Sequence, residues 1–143
     1  MSYWDASAPV KLYVKETDSP QFEARALAEP PVTGMVGLHE ARTVFRRREA
    51  EGVIPSGQGA VLFAELSADV AAGEIREQFE TDAVRAKFGE VLEACFSQTP
   101  SVFIRTNDAL HIASALVAGE KTFVTADARQ RAAAVLMNLV VSP

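Results

Sequence analysis

Short apolar segments that alternate with helical patterns constrain the fold of this chain more than any other feature of its sequence. Residues 1–5 form a short apolar run that ends at the carboxylate of Asp5, and residues 122–125 form a second, clearly apolar run. Between such runs, apolar residues recur at steps of three and four, the spacing of one helix face. Strands separated by helices form a parallel sheet with helices on both faces. The sequence therefore predicts a three-layer α/β/α fold around a central, mainly parallel sheet of about 4 to 5 short strands.

The same pattern predicts the order of the elements. The expected strands cover residues 1–4, 32–36, 122–125 and 139–141, with a weaker one in 74–80. The expected helices include one that ends near residue 16, followed by 21–27, 37–51, one after the restart at 55–57 that ends near 73, then 81–98, 106–119 and 127–136. No repeat, low-complexity tract or linker divides the chain, so we expect residues 1–143 to form a single domain.

Composition limits the classes of protein to which the chain can belong. Hydrophobic residues make up 48% of the sequence and charged residues 23%, which is typical of a soluble globular protein. No apolar run approaches the roughly 18 residues that a spanning helix needs, and the first residues lack the basic start of a secretion signal. We therefore expect a cytoplasmic protein with no membrane contact, in which the single Cys95 is a small core residue.

The net charge of -5 argues against a protein that holds nucleic acid by a broadly basic surface. It is compatible with local basic patches, and with a cluster of carboxylates balanced by a divalent metal ion.

Four acids lie where predicted elements begin or end. Asp5 follows the first strand, Glu40 lies in the first turn of the third helix, Asp108 lies in the first turn of the helix that Thr106 caps, and Asp127 follows a buried strand. Because the carboxyl ends of parallel strands and the amino ends of the following helices share one edge of a sheet, all four can converge there. Each acid taken singly could equally be a helix cap or a charge near a helix amino terminus.

Carboxylates packed together repel one another and raise each other's pKa unless a cation lies among them. A site of oxygen ligands suits a hard cation, so the sequence predicts Mg²⁺ or Mn²⁺. His39 and His111 are the only histidines and are left outside the predicted site, although His111 lies one helical turn from Asp108. The sequence offers no arrangement for nucleophilic catalysis and no glycine-rich phosphate loop.

Three segments together resemble the PIN-domain ribonucleases, and most closely the VapC-like toxins of toxin-antitoxin pairs. They are Asp5-Ala6-Ser7, then Asp108-Ala109-Leu110-His111-Ile112-Ala113-Ser114-Ala115, and finally Thr125-Ala126-Asp127. Glu40-Ala41-Arg42 at the start of a helix extends the similarity, which covers essentially the whole chain.

The resemblance implies a metal-dependent endoribonuclease whose acidic cluster is Asp5, Glu40, Asp108 and Asp127. In such a site Asp5 and Asp108 are expected to ligate Mg²⁺ or Mn²⁺ directly, and Glu40 and Asp127 to ligate it further or through water. The hydroxyls that would hold these carboxylates are those of Ser7, Thr106 and Thr125.

The resemblance also implies an RNA substrate, a cognate antitoxin and a homodimer. Arg46, Arg47 and Arg48 are candidate contacts to RNA phosphates, although a solvated helix face explains them equally simply. Gly34 and Gly37 replace polar residues that the family often has before its second acid, so we expect them to loosen the hold on Glu40.

Two alternatives remain open at this point. A phosphatase of the haloacid-dehalogenase type also begins with an acid after the first strand, but its chemistry needs a second acid at the position that Ser7 occupies here. The other alternative is a catalytically inactive PIN-like binding module, in which the acids act only as helix caps.

Overall fold

The structure, a computed structural model, describes residues 1–142, so Pro143 at the end of the predicted domain lies outside the described residues. The strands are β1 (Ser2–Trp4), β2 (Val32–Gly34), β3 (Arg76–Gln78), β4 (Thr122–Val124) and β5 (Val140–Ser142). The helices are α1 (Val10–Tyr13), α2 (Ser19–Ala28), α3 (Met35–Ala50), α4 (Gln58–Ala72), α5 (Asp82–Phe96), α6 (Thr106–Val117) and α7 (Ala128–Leu136). None of the helices in this described part of the chain is long and apolar enough to cross a bilayer.

All strand pairs are parallel, and the strand order is β3-β2-β1-β4-β5. The prediction of an α/β fold with a central parallel sheet is therefore confirmed. The strand β1 lies in the middle, where Tyr3 pairs with Val32 on one side and with Phe123 on the other. The pairing continues past β1, because the Asp5 amide donates to the Val124 carbonyl at 3.1 Å. Asp5 thus leaves the sheet at the centre of its carboxyl edge.

Successive residues of the central strands face opposite sides of the sheet, as the strand period requires. Tyr3 and Phe123 stack at 5.5 Å between ring centroids and pack into a core formed with α5, α6 and α7. Trp4 packs on the other face against Phe22 of α2. Cys95 is fully buried in the first of these cores, as predicted.

The helix α3 carries Glu40 to the carboxyl edge. It is anchored by a further cluster in which Phe45, which is fully buried, packs with residues of α1 and α4. This core fixes one side of the site, and the core around α6 fixes the opposite side.

The start of α3 corrects the prediction. The strand β2 ends at Gly34 and the helix begins at Met35, two residues before the expected start at Gly37, so Glu40 lies in the second turn and not the first. The physical reason is a tertiary contact, because the Gly34 amide donates to the Tyr3 hydroxyl at 2.9 Å and fixes the end of the strand.

Two further helix boundaries differ from the prediction. Thr106 does not cap α6, since it is the first helical residue and Arg105 occupies the cap position without a side-chain hydrogen bond. The first helix ends at Tyr13, before residue 16, because Val14 has an extended backbone (φ −103°, ψ 109°).

Candidate functional site

Asp5 is the most deeply held of the four predicted acids. Its residue is only 3% exposed, and its carboxylate accepts hydrogen bonds from the Ser7 amide (3.0 Å), the Ser7 hydroxyl (2.5 Å) and the Thr125 hydroxyl (2.5 Å). Burial raises the pKa of Asp5, and these hydrogen bonds offset only part of that effect. Within residues 1–142, no lysine or arginine pairs with this carboxylate.

Thr125 connects Asp5 to Asp127. Its hydroxyl donates to Asp5 Oδ2 and accepts the Asp127 amide at 3.0 Å. Asp127 in turn caps α7, because its Oδ1 accepts the Arg129 amide at 2.8 Å. The cap interpretation is therefore confirmed for Oδ1 of this residue, while its Oδ2 accepts a hydrogen bond from Arg105.

Asp108 and Asp127 share one guanidinium. Arg105 Nε donates to Asp108 Oδ2 at 2.8 Å, while Arg105 Nη2 donates to Asp127 Oδ2 at 3.0 Å and to Asp108 Oδ1 at 3.3 Å. From the buried side, Gln130 Nε2 donates to Asp108 Oδ1 at 2.8 Å. The carboxylate of Asp108 raises the pKa of Arg105, and those of Asp127 and Glu40 add to the effect. Three of the four predicted acids thus lie near a single positive charge.

Glu40 is held from α6. Asn107 Nδ2 donates to Oε1 at 2.9 Å, and His111 Nε2 lies 2.6 Å from Oε2. Burial raises the pKa of Glu40, but the contacts with His111 and Asn107 outweigh it, so that the pKa lies below its ordinary value. Neither of these two partners belonged to the predicted site.

His111 is itself held by Tyr3. The imidazole is fully buried, and its Nδ1 lies 2.9 Å from the Tyr3 hydroxyl, which accepts the Gly34 amide. Burial also raises the pKa of Tyr3, so the hydroxyl keeps its proton. Every contact is satisfied when Tyr3 donates to Nδ1 and the proton on Nε2 is donated to Glu40. In the sequence, His111 is marked by its spacing of one turn from Asp108 and by its place in the segment that resembles the family.

The two glycines before Glu40 make this arrangement possible. A Cβ on Gly34 would lie 2.6 Å from the Tyr3 hydroxyl oxygen, and a Cβ on Gly37 would collide with Thr33 Oγ1 and lie 3.1 Å from His111 Cε1. The expectation that these glycines loosen the hold on Glu40 is wrong, because they allow the close approach of the groups that hold it.

Thr106, Arg46 and Arg48, which the sequence also placed in or near the site, form no hydrogen bond or ion pair with its four acids in the described chain. The Thr106 hydroxyl forms no hydrogen bond with an acid of the described chain; the contact to Glu40 comes from its neighbour Asn107. Arg46 pairs with Glu49 at 2.5 Å, and Arg48 pairs with Glu16 at 2.9 Å.

Arg47 differs from the arginines beside it. It forms no ion pair with any of residues 1–142, and it lines a cavity of about 440 Å³ at the acidic edge. The residues lining this cavity are Ala6, Ser7, Glu40, Thr43, Val44, Arg47, Arg105 and Asn107.

The donor chemistry of the site fits a hard cation, since its predicted ligands are all carboxylates. Asp5 supports this fit, because a buried carboxylate with only uncharged partners is stabilised by a nearby cation. In residues 1–142, however, no group of three or more His, Cys, Asp or Glu side chains is arranged to hold a metal ion. Arg105 lies between two of the predicted acids and pairs with both Asp108 and Asp127.

Solved structures of similar fold cover nearly the whole chain. VapBC2 from Rickettsia felis, bound to a DNA fragment from its promoter, has a TM-score of 0.69 and 18% identity, covering 99% of this chain and 98% of that chain. FitAcB from Neisseria gonorrhoeae has a TM-score of 0.67 and 16% identity, and the match covers 100% of this chain and 97% of that chain. VapC20 from Mycobacterium tuberculosis, a toxin that cleaves the sarcin-ricin loop, has a TM-score of 0.67 and 17% identity, covering 93% and 95%.

At these identities the structural similarity establishes the fold alone. No curated protein matches the sequence at a significant level. The family model of the PIN domain, in contrast, matches residues 3–136. The chain therefore belongs to the PIN domain family, as the sequence resemblance implied.

Proposed function

We propose that this protein is a Mg²⁺- or Mn²⁺-dependent endoribonuclease and the toxin of a toxin-antitoxin pair. The observation that carries the proposal is the position of Asp5, Glu40, Asp108 and Asp127 at the carboxyl edge of the sheet, linked through Thr125, Arg105 and Asn107. Membership of the PIN domain family and the similarity to VapC20, a toxin that cleaves the sarcin-ricin loop, support it.

In this proposal Asp5 and Asp108 ligate the metal directly, with Glu40 and Asp127 as further or water-mediated ligands. When bound, a divalent metal activates water and stabilises the leaving oxygen of a phosphodiester. The side chains around the acids orient them. Ser7 and Thr125 hold Asp5, and Asn107 and His111 hold Glu40.

RNA would lie in the cavity beside Glu40. Arg47 is the arginine we assign to a backbone phosphate, because it lines this cavity and has no acidic partner in the described chain. Arg46 and Arg48 are weaker candidates, since both already pair with glutamates. Thr106 lines a neighbouring cavity of about 330 Å³ with Glu40 and Asp108, so it remains a candidate contact to the acids or the substrate.

The partners follow from the same proposal. We assign an antitoxin whose cationic segment covers the acidic edge, which the net charge of -5 favours, and a homodimer acting in the cytoplasm. The similarity to VapBC2 and FitAcB supports such a pairing.

A catalytically inactive PIN-like binding module is the second candidate. The specific observation in its favour is that protein donors satisfy the acids and that no metal-binding group of three occurs in residues 1–142. RNA cleavage separates the two candidates.

The test is expression of the chain with and without the protein encoded beside it, followed by mapping of new RNA ends that carry a 5′-phosphate. We expect growth arrest and such ends only without the partner, and an Asp108→Asn variant should lose cleavage by about 100-fold or more. Asp82→Asn is the matched control, since Asp82 also begins a helix but has a side chain that is 98% exposed and pairs with Arg85. Folded protein that cleaves no RNA with either metal would support the binding module.

A further inference from the structure

We propose that Arg105 is an internal counter-ion of the acidic edge, which competes with the divalent metal for Asp108 and Asp127 and so weakens metal binding. The inference rests on the proposed function, because it requires the metal to bind at these acids. Arg105 would thus set the concentration of divalent metal at which the site fills.

The contacts of Arg105 block the oxygens that a metal would need. Asp108 Oδ2 accepts Arg105 Nε at 2.8 Å and has no other hydrogen-bond partner among residues 1–142, while Asp127 Oδ2 accepts Arg105 Nη2 at 3.0 Å. A metal that binds either oxygen must take the place of the guanidinium. The fork of the guanidinium matches two carboxylates in a way that an ammonium group does not.

The guanidinium can leave at modest cost. The Arg105 side chain is 60% exposed, whereas that of Asp108 is 4% exposed. The arginine therefore lies on the solvent side of the ion pair and the carboxylate on the buried side. The cost is modest because the exposed guanidinium regains water, while the metal ion replaces it as the counter-ion of the buried Asp108 carboxylate. The backbone of Arg105 precedes α6 in an extended conformation and provides no side-chain cap to that helix.

Asp108 keeps its orientation when Arg105 leaves. Gln130, which is 4% exposed, donates to Asp108 Oδ1 from the buried side at 2.8 Å. Displacement of the arginine therefore exposes a carboxylate that is already held in place. Arg105 also lines the cavity that contains Arg47, so the released side chain remains beside the proposed RNA path.

The test measures Mn²⁺ binding to the metal-stripped, full-length protein by titration calorimetry. Arg105→Gln should bind Mn²⁺ about tenfold more tightly than the wild type, because a charge-assisted competitor is removed. Arg105→Lys keeps the charge but loses the fork, and should lie between the two. Arg47→Gln is the matched control, since it removes the same charge from the same cavity but no contact with an acid, and should change the dissociation constant less than about twofold.

A second measurement follows the arginine itself. The Nε–H resonance of Arg105, identified by its loss in Arg105→Lys, should shift when Mg²⁺ saturates the wild-type protein. The proposal is overturned if Arg105→Gln binds Mn²⁺ no more tightly than Arg47→Gln, if the resonance does not move, or if none of the proteins binds Mn²⁺. If the expected order of affinities is found but no RNA is cleaved, the proposed nuclease function fails and the role of Arg105 stands.

Discussion

The acidic edge has two halves that balance their charge in different ways. The arginine half consists of Asp108 and Asp127, which share Arg105. The other half, which we call arginine-free because Arg105 donates no hydrogen bond to it, consists of Asp5, held by hydroxyl and amide donors, and Glu40, held by an amide and an imidazole. Asp5 and Asp108 are equally buried, at 3% exposure, so the difference lies in their partners and not in their depth.

The two halves differ in whether the chain itself supplies a positively charged partner for the carboxylates. In the arginine-free half, burial without a positive partner leaves the pKa of Asp5 raised. That half therefore stores an electrostatic cost that a metal ion can relieve. The arginine half is neutralised by the chain itself, so a metal must compete there.

Replacing Asp5 should have the largest effect. We expect Asp5→Asn to lower RNA cleavage by about 100-fold or more, because it removes a carboxylate that we propose as a direct metal ligand. The same change should stabilise the metal-free fold, since one pKa unit of desolvation corresponds to about 1.4 kcal/mol. Urea unfolding in the presence of EDTA measures the stability term. A loss of stability in Asp5→Asn, in place of the expected gain, would remove the distinction between the two halves.

The pH dependence of that gain has a definite sign. A carboxyl whose folded pKa is raised binds protons more tightly in the folded state, so its contribution to stability falls as the pH rises from its ordinary value of 3.8 through the folded value. The difference in unfolding free energy between Asp5→Asn and the wild type should therefore grow with pH over that range and then level off. A difference that shrinks with rising pH would contradict the raised pKa.

The contact between His111 and Glu40 gives a further prediction. His111→Ala should cost about 2 to 4 kcal/mol, because it empties a fully buried position and removes the nitrogen that accepts the Tyr3 hydroxyl proton. It should also lower cleavage by about 10-fold, whereas His111→Gln should restore part of the activity by donating to Glu40. Thermal unfolding and cleavage rates measure the two effects. His39→Ala, at an exposed position of the same helix as Glu40, is the control and should change neither.

If His111→Gln recovers stability without recovering cleavage, the histidine is a core residue and not a positioning residue. Asn107 would then be the residue that orients Glu40.

Much of the edge could be predicted because it follows from local order along the chain. An acid directly after a short apolar run, as at Asp5 and Asp127, lies at the end of a strand, and parallel strands end at one edge. The fold class follows from the same alternation, as the central position of β1 illustrates.

The partners of Glu40 could not be predicted in this way. His111 lies 71 residues from Glu40 and 108 residues from Tyr3, and no local spacing relates such positions. Their contact depends on the packing of α6 against β2 and α3, which only the assembled sheet defines. The expectation for Gly34 and Gly37 fails for the same reason, since it rests on the polar side chains that these positions lack, whereas the missing side chain admits a neighbouring one.

The smallest expected effect distinguishes these two roles of glycine. Gly37→Ala should destabilise the protein by about 1 to 3 kcal/mol, because the new methyl group meets Thr33, whose hydroxyl is bonded to the Trp4 carbonyl, and His111. Gly89→Ala in α5 is the matched change, since its Cβ would meet nothing within 4 Å and should stabilise the helix by about 0.5 to 1 kcal/mol. Opposite signs in denaturant unfolding would show that the hold on Glu40 depends on the close approach of α3 to α6; the same sign at both positions would mean that only helix propensity is measured.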